Sequence, residues 1–164
     1  LASGGVIVPP NGYHTRTREL CKKYDIVYIS DETVTGFGRL GHWFASKEVF
    51  NIQPDIITCA KGLTSGYLPM GAAIISDSLI DGIKNTEGSQ PFTNGYTYSC
   101  HPVTAKAALT NINIISNENI LGHLAQWKLM LTSPHSHQNS LKSGFRLYSL
   151  PVASLQQRIE IISS

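Results

Sequence analysis

The chain has 164 residues, enough for one ordinary domain, with 13 basic and 11 acidic side chains and a formal net charge of +2. That near-balance, without a Lys/Arg-rich block, argues against nucleic acid as a partner. Charged residues make up 15% of the chain against ~25% in typical soluble domains, and 41% are hydrophobic, so much of the chain is expected to be buried.

The longest apolar runs, such as Ala72-Ala73-Ile74-Ile75, are far too short to span a bilayer, and Leu1 to Pro10 has neither a basic n-region nor a long h-region. Neither a membrane partner nor a signal peptide is expected. The three cysteines, Cys21, Cys59 and Cys100, are odd in number and widely spaced. They read as buried reduced thiols of a cytoplasmic protein rather than a disulfide framework or a zinc site. The opening lacks a Met and enters an apolar strand at once, which reads as a chain joined midway.

In chain order, residues 6–8 read as a short strand stopped by Pro9-Pro10 and Asn11-Gly12. Residues 13–24 carry no Gly or Pro, with Leu20 and Tyr24 four apart, and read as a helix. Residues 25–30 hold the continuous apolar run Ile26-Val27-Tyr28-Ile29, which suits a strand buried on both faces of a parallel sheet. A polar, Gly-rich loop over 31–41 follows, then a short helix over 45–50. A second apolar strand is read over 56–60, a third over 72–76, a helix over 78–84 and a polar loop over 85–94. The strongest helix pattern covers 102–115, with Pro102 in the first turn and Ala105, Ala108, Leu109, Ile112 and Ile115 on one face. This alternation argues for an α/β fold. From about Trp127 the chain turns rich in Ser, His, Gln and Leu, with Glu160 the only acid after residue 130.

Two strand ends carry candidate chemistry. Ligands of open α/β sheets bind beyond the carboxyl ends of the strands. Asp31 follows the strand read over 25–30, and Lys61 follows the one over 56–60, between the small residues Ala60 and Gly62. Taken singly, each reads more readily as a plain loop residue. Together they are the two groups a pyridoxal enzyme needs: an amine that condenses with an aldehyde, and an acid that keeps the pyridine nitrogen protonated. Gly36-Phe37-Gly38-Arg39-Leu40-Gly41 matches G-x-G-x-x-G, but five residues separate it from the strand and no helix start follows. It is the basis of a rival reading as a nicotinamide-dependent oxidoreductase. The hydroxyl-rich run Asn94-Gly95-Tyr96-Thr97-Tyr98-Ser99, before His101-Pro102, suits a phosphate or a plain turn and cap. His135 and His137 have no plausible third ligand nearby, so no metal site is expected.

Four segments in order resemble the class III aminotransferases, a fold-type-I family that uses pyridoxal 5'-phosphate (PLP). Gly4-Gly5-Val6-Ile7-Val8-Pro9-Pro10 with Gly12-Tyr13 is similar to the family's G-G-V-I-V-P-P-x-G-Y. Asp31-Glu32-Thr33-Val34-Thr35-Gly36-Phe37-Gly38-Arg39 resembles D-E-V-x-T-G-F-G-R, and Pro54-Asp55 through Ala60-Lys61-Gly62 resembles P-D-x-x-x-x-A-K-G. Asn94-Gly95-Tyr96-Thr97-Tyr98-Ser99-Cys100-His101-Pro102 is similar to H-G-x-T-Y-S-G-H-P. Thr33, Asn94 and Cys100 stand where the family normally has Val, His and Gly.

The resemblance implies part of the large PLP-binding domain, an incomplete α/β unit with a mostly parallel sheet and flanking helices. Residues 1–124 would be its central part. Residues 125–164 would be an atypical tail, left unassigned between disorder, a packed appendage and a frame error. Lys61 would form the Schiff base and serve as acid and base for the proton shift. Asp31 would pair with the pyridinium nitrogen, Thr33 would pack on the ring, and Thr97 would reach the phosphate of a partner subunit in a homodimer. The implied reaction moves an amino group from an amine or ω-amino acid to a keto acid such as pyruvate. The family's phosphate loop and ring-stacking aromatic would precede Leu1. Its carboxylate-binding Arg would follow Leu124; Arg146 and Arg158 match no motif. A catalytically incompetent fragment is the second alternative.

Overall fold

Gly12, with φ at 79°, caps α1 (Tyr13–Lys23) after the two prolines, and Lys22 and Lys23 sit in its last turn, where cations suit the helix dipole. The computed structural model describes residues 7–85, 87–88, 95–124 and 126. It continues with β1 (Ile29–Asp31), α2 (Ala45–Glu48), β2 (Ile56–Cys59), a 3-10 turn (Lys61–Leu63), β3 (Ala72–Ile75), α3 (Asp77–Asn85) and α4 (Pro102–Asn117).

The three strands form one sheet in the order β1-β2-β3. β1 and β2 are parallel, with Asp31 opposite Thr58, whereas β2 and β3 are antiparallel, with Cys59 opposite Ala72. The sheet is therefore mixed where a mostly parallel one was expected. Parallel neighbours need a crossover of about a dozen residues or more, usually a helix; here only the 3-10 turn and a loop separate β2 from β3, so the chain returns at the same end.

Most elements lie within one or two residues of the sequence expectation. β1 is the main exception: it spans three residues and ends on Asp31, so that side chain sits on the strand and not in the loop. Asp25 turns the backbone to φ 53°, which delays the ladder. Ile26, Val27 and Ile29 are all exposed, so the apolar run is not buried on both faces. Ile7 and Val8 are exposed and outside any strand; Val6 lies outside the described residues. So do Asn94, most of the loop read over 85–94, His135, His137, Arg146, Arg158 and nearly all of the tail read over 125–164.

The core gathers Phe37, Cys59, Leu63, Ala108, Ile115 and Ile120, with Trp43, Phe44, Leu121 and Leu124 partly buried against it. α4 presents Ala108, Asn111 and Ile115 inward, while Leu109, expected on the buried face, is exposed. The core thus lies under the 3-10 turn and the loop that follows β1. Fewer large apolar residues are buried than the composition suggested; Tyr24, Tyr96 and Tyr98 are among the exposed ones.

Candidate active site

Successive residues of a strand point to opposite faces, and at the end of β1 this separates two carboxylates. Asp31 is exposed, whereas Glu32 is 1% exposed. The Asp31 Oδ1 accepts from the Thr33 backbone N–H at 3.0 Å and from the Thr58 hydroxyl at 3.2 Å. Hydrogen bonding from Thr33, through its hydroxyl and its amide, holds the Asp31 carboxyl below the usual carboxylate range. Thr58 and the nearby positive charge of Lys61 act in the same direction.

Lys61 opens the 3-10 turn directly beyond β2 and is exposed. Its backbone is left-handed, φ 46°, a conformation that is uncommon outside glycine. Among the described residues it forms no ion pair with Asp31, yet its charge reaches that carboxyl. Asp31, Thr33 and Lys61 therefore share one end of the sheet, with the amine and the carboxylate separate. Thr97 stands in the turn over 97–100 before α4; it is exposed and, among the described residues, forms no hydrogen bond with those three. An open cleft of about 370 Å³ beside His42, Trp43, Lys47 and Leu121 includes none of the four.

Two supports of this end were not singled out from the sequence. Glu32 accepts from the Ala45 N–H at 3.0 Å, the Ser46 N–H at 2.6 Å and the Thr35 hydroxyl, so it caps α2 and closes the loop after β1. Asn111, from α4, binds the backbone of the Lys61 turn. Both are polar residues buried by their bonds, and apolar periodicity carries no signal for either.

The G-x-G-x-x-G does not open a helix. Its amides are engaged within the loop: Gly36 donates to Glu32 O, Phe37 to Trp43 O, Gly38 to His42 O and Gly41 to Gly38 O, all at 2.8–3.0 Å. Phe37 is buried and stands edge-on to Trp43 and Phe44. With the amides of all three glycines engaged and no helix opened, the motif does not form a pyrophosphate cradle, and the oxidoreductase reading is not supported. Among the described residues no cluster of His, Cys, Asp or Glu could hold a metal ion, and no helix is long and apolar enough to cross a membrane.

The class-III aminotransferase family model matches residues 1–143, and the chain belongs to that family. It is 49% identical over 119 residues to the putrescine–pyruvate aminotransferase of Pseudomonas aeruginosa, covering 73% of this chain and 25% of that protein. A probable aminotransferase of Mycobacterium tuberculosis is 45% identical over 151 residues, covering 92% of this chain and 30% of that one. Among solved structures, an amine transaminase of an uncultivated Pseudomonas species in its PLP-bound form superposes with a TM-score of 0.72 at 43% identity, over 78% of this chain and 29% of that one. The α/β unit is thus part of a fold-type-I transaminase fold. The chain spans about a quarter to three tenths of the length of these relatives.

Proposed function

We propose that this chain carries the cofactor-holding lysine and the ring-nitrogen carboxylate of a PLP-dependent transaminase. The observation that carries the reading is the shared end of β1 and β2, where an exposed Lys61 amine faces solvent near an Asp31 carboxylate kept ionised by Thr33 and Thr58. The residues fit the group. Ala60 and Gly62 leave little bulk around the amine, and the separate carboxylate is free to hold a proton on a pyridine nitrogen.

When bound, PLP supplies an electron sink for the pair released as a bond at the substrate's amine-bearing carbon breaks. The chain's own residues do the rest. The Lys61 amine would hold the cofactor's aldehyde carbon and would serve as the acid and base that moves a proton at the reacting carbons. Asp31 would keep the ring nitrogen protonated. Thr33 fixes Asp31 through its N–H and would pack beside the ring. Thr97, an exposed hydroxyl just before the Pro102 helix start, would bind the phosphate held by the other subunit of a homodimer.

The donor is an amine or ω-amino acid and the acceptor a keto acid such as pyruvate; the Pseudomonas aeruginosa relative is named for putrescine and pyruvate. Residues 1–124 supply the central part of the large domain, and residues 125–164 remain without an assigned role. The free thiols Cys21, Cys59 and Cys100 accord with a reducing, cytoplasmic compartment.

The test is borohydride reduction of the full-length, PLP-loaded protein followed by peptide mapping. The adduct is expected on Lys61 and is expected to vanish in Lys61→Ala. An adduct on another lysine overturns the assignment.

A further inference from the structure

We infer that Asn111 is a positioning residue for Lys61: it clamps the backbone of the turn that aims the amine. The inference rests on the reading of Lys61 as the cofactor-holding lysine.

The turn has a demanding backbone. Lys61, Ser65 and Gly66 all take left-handed φ values of 46°, 52° and 82°, and only the last is a glycine. Such conformations persist only where the surroundings over-determine them. Within the turn the carbonyls of Ala60, Lys61 and Gly62 accept from Leu63, Thr64 and Ser65, the last at a long 3.4 Å. The carbonyls of Gly62 and Leu63 also face α4.

Asn111 meets both of them. Its Nδ2 donates to Gly62 O at 2.8 Å and to Leu63 O at 3.1 Å, and its Oδ1 accepts from the Ser65 hydroxyl at 2.7 Å. The orientation of the amide is set by its partners, since two carbonyls can only accept. At 5% exposure Asn111 sits among the inward residues of α4, between Ala108 and Ile115. A buried asparagine with both ends engaged on one turn is a specific device, not a generic core residue. None of its hydrogen bonds goes to the Lys61 side chain. It acts by fixing the peptide next to Lys61, and so the direction in which its Cα–Cβ bond leaves the sheet.

Among the described residues no other side chain hydrogen-bonds the carbonyls of Gly62 and Leu63. Thr64, 2% exposed, bonds Leu68 O further along the loop, and Gly62 only permits the approach of Phe37.

The experiment uses the full-length protein in three variants: Asn111→Leu, which removes all three bonds, Asn111→Asp, which sets oxygen against the two carbonyls, and Ser65→Ala, which removes one bond. Hydrogen exchange at the amides of Leu63, Thr64 and Ser65 is measured without cofactor, with the amides of β2 and β3 as internal reference. In Asn111→Leu and Asn111→Asp these three are expected to exchange roughly tenfold faster or more, with the strands changed less than about twofold. Ser65→Ala gives the same pattern, weaker. In the PLP-loaded protein the midpoint of the pH titration of the visible absorbance is expected to move in both Asn111 variants.

Uniform acceleration across turn and strands marks plain packing and overturns the inference, as does unchanged exchange. If the Asn111 variants do not fold, Ser65→Ala decides: acceleration confined to the turn supports the clamp, and exchange like the unsubstituted protein overturns it. A reduced adduct mapped away from Lys61 overturns this inference together with the proposed function. Unchanged exchange with the adduct on Lys61 overturns this inference alone.

Discussion

Gly62 and Phe37 press together so closely that a β-carbon on Gly62 would lie 2.8 Å from the Phe37 Cβ. Through this contact the Lys61 turn rests on the loop that follows Asp31 at the end of β1. The relative placement of the two candidate groups is therefore set by packing beneath them as well as by the sheet ladder.

Gly62→Ala follows directly. Phe37 is buried against Trp43 and Phe44 and has little freedom to retreat. The substitution is expected to destabilise by about 1–3 kcal/mol, the range for overpacking a filled core. Urea unfolding of the full-length protein checks it, and unchanged stability would contradict the contact.

Glu32→Gln tests the cap on α2. Glutamine would present a donor where three donors already converge, from Ala45, Ser46 and Thr35. A loss of roughly 1–3 kcal/mol is expected, the cost of leaving a buried polar group unpaired. Chemical denaturation reads the loss, and a variant as stable as the parent would rule out the cap.

The Arg18–Asp55 pair makes stability depend on pH. Arg18 donates two bonds to Asp55, at 2.6 and 2.7 Å, and Asp55 also accepts from the Tyr28 N–H. Hydrogen bonding from Arg18, then the Tyr28 amide and the charges of Arg18 and Lys22, hold the Asp55 carboxyl below its ordinary range. A depressed folded-state pKa gives stability that is present above the unfolded pKa and lost as pH falls through the folded one. Arg18→Met is expected to lower stability at neutral pH by about 1.5–3 kcal/mol and to flatten the acid limb of the curve. Unfolding measured from neutral to acidic pH decides this; a parallel curve would contradict the pairing.

Thr33→Val separates hydroxyl from amide at Asp31. Valine keeps the N–H bond and loses the hydroxyl, so the Asp31 carboxyl is expected to titrate at higher pH than in the parent. An acid must stay ionised to hold its partner's proton, so the acid limb of the rate profile moves upward in pH. Carboxyl-carbon NMR reads the first effect and steady-state kinetics the second. At neutral pH kcat is expected to change by less than about fivefold, the scale of one ordinary hydrogen bond. An unmoved carboxyl resonance would show that the hydroxyl contributes nothing.

Cys100 holds a left-handed φ of 57° on an exposed turn, where the resembling motif has glycine. Cys100→Gly relieves that strain against the entropy glycine loses on folding, and a gain of up to about 1 kcal/mol is expected. Thermal unfolding checks it; a clear loss would mean the thiol packs productively.

The sites most legible in the sequence were those with a local chemical signature. Pro102 at the start of α4, the apolar strands before Lys61 and after Gly71, and the lysine between two small residues can all be read along the chain. β1 was less legible. A continuous apolar run from Ile26 to Ile29 has no period, so it cannot say where a ladder starts, and the left-handed Asp25 and the bonds of Tyr28 to Asp55 are tertiary facts. The direction of β3 was recoverable in principle from the missing helix between it and β2. Asn111 was not, because a face is read from apolar residues, and this polar one is buried by partners 46 to 49 positions away.

The antiparallel return has a consequence for how this end of the sheet can vary. Cys59 and Ala72 sit on the same rung, so the segment over 60–71 stands on two adjacent feet. Lys61 is next to one foot, whereas the exposed Gly66 and Tyr67 are out along the span. The outer span can change length or composition while the foot stays put. New surroundings can thus be tried around the amine without disturbing where it is planted.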